Sequence, residues 1–115
     1  EPSPKVEAIT VSARCEPYLA IVQKYDWDVR TVMAIMEAES HCSPQSANMS
    51  DVHSSCVGSY SLLQVGCFWY PFFGESDLFD PEVNIDIAYK VYKRSNSFNP
   101  WTTYTSGKFK KYIKP

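Results

Sequence analysis

One short stretch of the sequence, Met33 to Ser40, carries side chains suited to proton transfer. Apolar residues at helical spacing predict that it is the C-terminal half of a helix that begins after an N-capping Asp28. Glu39 follows Ile35 by four positions and Met36 by three, so its carboxyl leans toward the apolar side of this helix. Burial disfavours the charged form, and a carboxyl that keeps its proton at neutral pH can act as a general acid.

A solvated surface carboxylate is the competing interpretation of Glu39, because most helical glutamates face water and a single Glu-Ser pair is a weak signal. The neighbouring Glu37 lies about 160° away around the helix, so we expect that side chain to face water. The rest of the chain has to decide between the two interpretations of Glu39.

Length and composition favour one exported domain. The chain has 115 residues, enough for a single core, and its formal net charge of −2 gives no sign of nucleic-acid binding. We predict a flexible lead-in over residues 1–10 and one domain over residues 11–115. No apolar run is long enough to span a bilayer, and no signal peptide is visible, so we expect a mature form or an excised domain.

The four cysteines favour two disulfides over a metal site. No Cys-x-x-Cys pair occurs, and neither histidine has a partner at metal-ligand spacing. Cys15 precedes the first predicted helix and Cys42 follows the second, so we predict a Cys15–Cys42 bridge, with Cys56–Cys67 as the second. Connectivity does not follow from sequence alone.

Helix start and stop signals predict the supporting elements. Glu16-Pro17 begins a helix that should pack antiparallel to the one after Asp28. Asp80-Pro81 begins another that runs to about Ser95, and a short helical piece follows from Asn99 to about Tyr104.

The middle of the chain is predicted to be less regular. The polar, turn-rich segment from Ser43 to Ser55 reads as a loop. Cys56 should begin a short strand or hairpin arm whose end, near Leu62, enters the core. The aromatic run from Phe68 to Phe73 is either core packing with a turn or a wall on which sugars stack.

Four stretches, in order, resemble the signatures of soluble lytic transglycosylases and goose-type lysozymes. Ala34 to Ser40 resembles the helix end that closes on Glu-Ser. Gly58 to Val65 resembles the Gly-x-x-Gly-Leu-Met-Gln stretch, and Asp80 to Ile85 is similar to the Asp-Pro-x-x-Asn-Ile helix start. Trp101 to Gly107 looks like the Ala-x-x-Tyr-Asn-x-Gly element. The resemblance implies an α+β, mostly helical, lysozyme-like fold with a small β-hairpin and loop lobe.

Three positions depart from these patterns. Ser61 stands where the family has its second glycine, and Thr105 stands where it has asparagine. Tyr60 to Val65 also resembles a run in animal c-type lysozymes, in which an aspartate directly precedes the tyrosine. That position is Ser59 here, so the second catalytic carboxylate of c-type lysozymes is missing at this place.

By this resemblance Glu39 is the catalytic acid, and we expect the other site residues around it. Tyr104 would hydrogen-bond near Glu39 or the sugar, while Gln64 and the backbone of Leu62 and Leu63 would hold N-acetyl groups. Asp51, in the loop after the helix, could reach the cleft, although a solvated loop aspartate is the favoured interpretation of this residue. The expected substrate-binding set is Ser40, Asp51, Ser59, Tyr60, Leu62, Leu63, Gln64 and Tyr104.

The function that this implies is a peptidoglycan lytic transglycosylase that cuts the bond between N-acetylmuramic acid and N-acetylglucosamine with one glutamate. A hydrolytic lysozyme or chitinase of the same fold is the alternative within enzymes. A non-catalytic glycan-binding module and a disulfide-stapled interaction domain are the alternatives outside them. We expect a monomer without metal or organic cofactor, located in the periplasm, in the cell envelope or outside the cell.

Overall fold

A helical body and a small antiparallel sheet make up the fold, in the computed structural model that describes residues 9–69 and 77–113. This helix-rich α+β architecture confirms the predicted fold class. In chain order the elements are α1 (Glu16–Val22), α2 (Val29–Ser40), β1 (Ala47–Val52), β2 (Val57–Tyr60), β3 (Val65–Gly66), α3 (Pro81–Ser95), α4 (Thr102–Thr105) and a 3-10 helix (Lys108–Tyr112).

Helix α2 forms the centre of the body. The side chain of Asp28 caps its first turn by accepting a hydrogen bond from the Thr31 amide at 3.3 Å. Its last turn ends at His41, which has a left-handed backbone and donates its N–H to the Glu37 carbonyl at 2.9 Å. Ile35 and Met36 are fully buried, so apolar burial as well as capping fixes the position of this helix.

The other helices pack on or near α2 as their own sequences dictate. Helix α1 contacts both α2 and α3. Asp80 caps α3, with Pro81 at its first position, and the helix ends at Ser95 as predicted. The short α4 also begins and ends close to the predicted bounds.

The expectation that Glu37 faces water is wrong, because that side chain is only 6% exposed. It lies in a small crevice with Arg30 and Tyr112, where the final 3-10 helix packs against α2. The helical period shows which side of a helix is apolar, but not what a distant segment lays over its other side.

The three strands form one antiparallel sheet in the order β1-β2-β3, called here the sheet lobe (residues 47–66). The loop predicted from Ser43 to Ser55 is therefore wrong in part, since β1 lies inside it. Nearly every β1 residue is exposed, so the strand lacks the apolar alternation that reveals a half-buried strand. Pairing with β2 stabilises it instead.

The pairing of β1 with β2 is irregular in its middle. Asn48 lies opposite Ser59 and Val52 lies opposite Val57, with a register shift between these two pairs. Such a bulge turns side chains out of their regular alternation and is frequent beside functional sites.

Both predicted disulfides, Cys15–Cys42 and Cys56–Cys67, are present. The first joins the residue before α1 to the residues after α2, within the body. The second joins the start of β2 to the segment after β3, within the sheet lobe.

Two predictions fall partly outside the described residues. They are the flexible lead-in, of which residues 1–8 are not described, and the aromatic run, of which only Phe68 and Trp69 are. Over the described ranges, no helix combines the length and the apolarity needed to cross a membrane.

Candidate active site

Glu39 lies in the last turn of α2, where the helical body meets the sheet lobe. The next residue, Ser40, is buried and fixes this helix end. Its hydroxyl donates to the Met36 carbonyl at 3.2 Å and to the Leu62 carbonyl at 2.7 Å. The helix end and the turn that leads into β3 are thereby held together, with Glu39 between them.

The carboxyl of Glu39 is partly buried and has one direct side-chain partner. Thr103, in α4, donates its hydroxyl to Glu39 Oε2 at 2.8 Å. Burial raises the pKa of Glu39 above its ordinary value, and the negative charge of Asp51 raises it further. Hydrogen bonds from the Thr103 side chain and backbone oppose this increase in the pKa. No cation is among the described groups that shift the pKa of Glu39, and burial remains the largest influence on it.

A cleft with a volume of about 370 Å³ opens beside Glu39. This volume is in the range of small-ligand sites. The helical body contributes Val91, Pro100, Trp101 and Thr102 to its lining, and the polar groups of the opposite side come from the sheet lobe. That opposite side consists of Asn48, Asp51, His53, Ser59, Gln64, Val65 and Gly66, continued by Phe68 and Trp69.

Asp51 brings a second carboxylate into the cleft. It lies on β1, and its Oδ2 accepts a hydrogen bond from the hydroxyl of Ser59 on β2. Ser59 stands where the resemblance to c-type lysozymes leads one to expect an aspartate, and the structure places the Asp51 carboxylate of the neighbouring strand against that serine. The Asp51 side chain is 46% exposed, but it lies on a strand and not in a loop.

Gln64 also lines the cleft, at the turn before β3. Its side-chain amide donates to the Ser61 carbonyl at 2.9 Å, which fixes the turn, and its own backbone is left-handed. Four residues predicted for the site therefore share one cleft. They are Glu39, Asp51, Ser59 and Gln64.

The other predicted residues lie behind the cleft and have structural contacts. The Leu62 carbonyl accepts from Ser40, as described above. The Leu63 amide donates to Asn84 Oδ1 at 3.0 Å, and the Leu63 carbonyl accepts from the Trp101 indole at 2.8 Å. The roles predicted for Leu62 and Leu63 in holding N-acetyl groups stay predictions, with these backbone atoms already paired inside the protein.

Neither predicted tyrosine is among the described residues that line the cleft. Tyr60 donates its hydroxyl to the Val57 carbonyl at 2.9 Å and packs against Phe79. Tyr104 stacks on Phe109, with ring centroids 4.9 Å apart. The contact with Glu39 that was expected of Tyr104 is made by its neighbour Thr103, and the sugar-binding roles of both tyrosines stay predictions.

Sequence reasoning missed three residues that matter to the geometry. Thr103 is one of three threonines within four residues, and nothing in that pattern singles it out. His53 and Asn48 lie in the segment predicted to be a loop. They could have been assigned to the cleft only if strand β1 had been predicted. In the described part of the chain, no group of three or more His, Cys, Asp or Glu side chains is arranged to hold a metal ion.

The fold and the cleft define a helix-rich α+β domain with a ligand-sized cleft between its body and its sheet lobe. The sequence profile of the family described as "Lysozyme like domain" matches residues 23–103, which include α2, the sheet lobe and α3. The chain belongs to this lysozyme-like family. A search of curated proteins finds no match to it.

Proposed function

We propose that the protein cleaves the glycan strands of peptidoglycan, with Glu39 as the general acid. The observation that carries this proposal is the position of Glu39, which lines a ligand-sized cleft while burial raises the pKa of its carboxyl. A general acid needs a proton at working pH and access to the leaving oxygen, and these two properties supply both.

The first candidate reaction is lytic transglycosylation. Glu39 donates its proton to the oxygen that links N-acetylmuramic acid to N-acetylglucosamine, and the bond between this oxygen and C1 breaks. The resulting carboxylate takes the proton of the C6 hydroxyl on the same muramic residue. O6 then bonds to C1 and closes a 1,6-anhydro ring without water, a step favoured by its intramolecular geometry.

Hydrolysis is the second candidate, and the position of Asp51 favours it. Glycoside hydrolysis ordinarily uses two carboxylates, one as acid and one to activate water or stabilise the sugar cation. The cleft contains two, on opposite sides of the boundary between body and sheet lobe. The same proton donation by Glu39 would then be followed by attack of water on C1, giving a reducing end.

The two disulfides indicate an oxidising compartment as the place of action, such as the periplasm, the cell envelope or the exterior. We propose that the protein acts there as a monomer on strands of alternating N-acetylglucosamine and N-acetylmuramic acid.

Mass spectrometry of digested, purified peptidoglycan tests the proposal. We expect anhydro-muropeptides, each lighter by one water than the corresponding lysozyme product; reducing ends alone would assign hydrolysis. Glu39→Gln should lower turnover at least about 100-fold with the fold retained, whereas Glu16→Gln, which changes an exposed glutamate outside the cleft, should leave it unchanged.

Full turnover in Glu39→Gln would refute the catalytic assignment. If the wild-type protein bound glycan strands tightly but released no product at any pH, the non-catalytic glycan-binding module would replace the enzyme as the function.

A further inference from the structure

The pairing between Asp51 and Ser59 follows from the irregular register of the sheet lobe. Ser59 is the cross-strand partner of Asn48, three residues before Asp51, yet its hydroxyl donates to Asp51 Oδ2. The bulge between Asn48 and Val52 brings the Asp51 side chain to Ser59. Ser59 is only 4% exposed, so this hydrogen bond fixes the carboxylate from the protected side of the strand and leaves its other side open to the cleft.

His53 lies beside the same carboxylate. Its Nε2 lies 3.8 Å from Asp51 Oδ2, the oxygen that Ser59 also contacts. This nitrogen is fully shielded from solvent and has no hydrogen-bond partner within the described residues. A shielded nitrogen this close to a carboxylate oxygen needs only a small adjustment to donate to it, which catalytic hydrogen bonds often make when substrate binds.

Packing leaves the His53 ring little freedom to turn elsewhere. The ring centroid of Phe68 lies 4.7 Å from that of His53. A Cβ at Gly66 would lie 2.7 Å from Phe68 and 3.3 Å from His53 Nε2, so glycine is the residue that leaves room for both rings. The His53 amide donates to the Cys56 carbonyl at 2.9 Å, which fixes the backbone at the tip of the hairpin.

We propose that Asp51, held by Ser59 and positioned by His53, is the carboxylate that stabilises the positive charge on the sugar ring during bond cleavage. This proposal rests on the proposed function, since the charge develops at C1 as Glu39 protonates the leaving oxygen. Asp51 forms no covalent bond with the sugar. A fixed charge aimed at a developing opposite charge lowers the barrier because it needs no reorganisation during the reaction. The role applies to transglycosylation and to hydrolysis alike.

The described lining of the cleft has three titratable side chains. Glu39 faces the cleft from α2, Asp51 faces it from β1 and His53 from the residue after β1; the other described lining residues add no titratable side chain. The charge of Asp51 raises the pKa of Glu39. Removing this charge should therefore lower that pKa and shift the alkaline loss of activity to lower pH.

The decisive variant is Asp51→Asn, which keeps the hydrogen bond from Ser59 and removes only the charge. On soluble, uncrosslinked glycan strands we expect kcat to fall roughly 100-fold with a small change in KM. The alkaline limb of the pH profile should move to lower pH. Asp26→Asn, at an exposed aspartate outside the cleft, is the matched control and should change neither quantity.

Exchange of the two partners tests whether the place of the charge matters. Because the carboxylate and the hydroxyl are in contact, Asp51→Ser with Ser59→Asp returns a negative charge to nearly the same position. We expect this double variant to recover at least about tenfold over Asp51→Ser alone. No recovery in a folded double variant, checked by circular dichroism, would contradict the proposal.

His53→Gln tests the positioning role, since the glutamine keeps an N–H near the position of Nε2 but carries no charge. We expect a loss of about tenfold in kcat for His53→Ala, partial rescue by His53→Gln, and no further loss when His53→Ala is added to Asp51→Asn. Equal losses with and without Asp51 would assign His53 a merely structural role.

The outcomes separate this inference from the function on which it rests. If Glu39→Gln abolishes cleavage while Asp51→Asn stays within twofold of the wild-type kcat and keeps its pH profile, the inference fails and the proposed function stands. If the wild-type protein cleaves nothing, both fail together.

Discussion

The helical body and the sheet lobe face each other across the cleft and are stabilised in different ways. In the body, Ile35, Met36 and Ile85 are at most 1% exposed, so apolar burial dominates. In the sheet lobe, Met49 is 56% exposed and Val52 is 73% exposed. The outer part of the lobe therefore depends on strand pairing, on one disulfide and on a few polar tethers, whereas Leu62 and Leu63 bury its inner turn in the core.

This difference matches the division of chemistry between the two regions. The proton donor that we propose lies on the body, where burial raises the pKa of Glu39. The groups that we propose to face the sugar cation lie on the lobe, where the Asp51 side chain is about half exposed. Regions with few buried apolar contacts open locally at lower free energy, so we expect the lobe to open before the body.

The two disulfides give the strongest way to separate the two regions. Cys15–Cys42 closes 27 residues of the body, and Cys56–Cys67 closes 11 residues of the lobe. Chain-entropy arguments predict losses of about 3.5 and about 3 kcal/mol in the free energy of unfolding when each pair is replaced by alanine. We expect the first replacement to lower the global stability, measured by urea unfolding.

The second replacement should act mainly on the lobe. For Cys56→Ala with Cys67→Ala we expect faster amide hydrogen exchange in β1 and β2 and lower glycan cleavage, with α2 amides still protected. If exchange increased equally in α2 and in the strands, the two regions would be one cooperative unit and the comparison would fail.

Asn84 is one of the polar tethers between the two regions, and its removal should have the next largest effect. This fully buried side chain on α3 accepts from the Leu63 amide at 3.0 Å and donates to the Tyr60 and Leu78 carbonyls at 2.9 and 3.0 Å. Asn84→Ala removes these three hydrogen bonds, two of them buried and one partly buried, and should cost about 2–3 kcal/mol of unfolding free energy.

Thermal unfolding measures this loss, and Asn99→Ala, at an exposed asparagine, is the control. A cost below about 0.5 kcal/mol for Asn84→Ala would mean that the tether is not needed to hold the lobe.

The body was the more predictable of the two regions, because it is stabilised by apolar burial. Caps such as Asp28 and Asp80, together with apolar residues at helical spacing, predict α2 and α3 closely, because burial on one side leaves a periodic trace. Strand β1 leaves no such trace, since both of its faces are exposed, and the prediction of a loop there was wrong in part.

The residues of the candidate site also differ in how far the sequence predicts them. Glu39 follows from its helix and from the resemblance, and its place in the cleft agrees with that prediction. Contacts made by His53 and Thr103 depend on how distant segments approach one another, which no local pattern encodes. Burial of Glu37 was missed for the same reason, because the segment that covers it comes 71 residues later, at Lys108.

Glu39→Gln should also increase stability, which would sharpen the contrast between body and lobe. Because the pKa of Glu39 is raised in the folded protein, the folded state favours the protonated form more than the unfolded state does. This preference is fully satisfied below the unfolded pKa, and stability is lost as pH rises through the folded pKa.

Glutamine removes that pH-dependent loss, so we expect Glu39→Gln to be more stable than the wild-type protein at pH 7 and equally stable below about pH 4. Unfolding free energies of both proteins across this pH range measure the difference. If the gain in stability were the same at pH 4 and at pH 7, its cause would be something other than the ionisation of Glu39.

The smallest expected effects concern Ser61 and Gln64, in the turn that joins β2 to β3. Both have left-handed backbones, with φ of 66° and 46°. Ser61 is fully buried, and its hydroxyl has no hydrogen-bond partner among the described residues. Ser61→Gly removes the backbone strain and the unpaired hydroxyl, against a larger entropy loss of glycine on folding. We expect a net gain of about 0.5 kcal/mol in the free energy of unfolding.

Gln64→Gly relieves the same backbone strain but also removes the side-chain amide that donates to the Ser61 carbonyl. We therefore expect a loss of about 1 kcal/mol for this variant, opposite in sign to the Ser61→Gly change. Urea unfolding of the two variants beside the wild-type protein measures both values. If both variants gained stability, backbone strain would dominate this turn; if both lost it, the serine hydroxyl would have a partner that stabilises the fold.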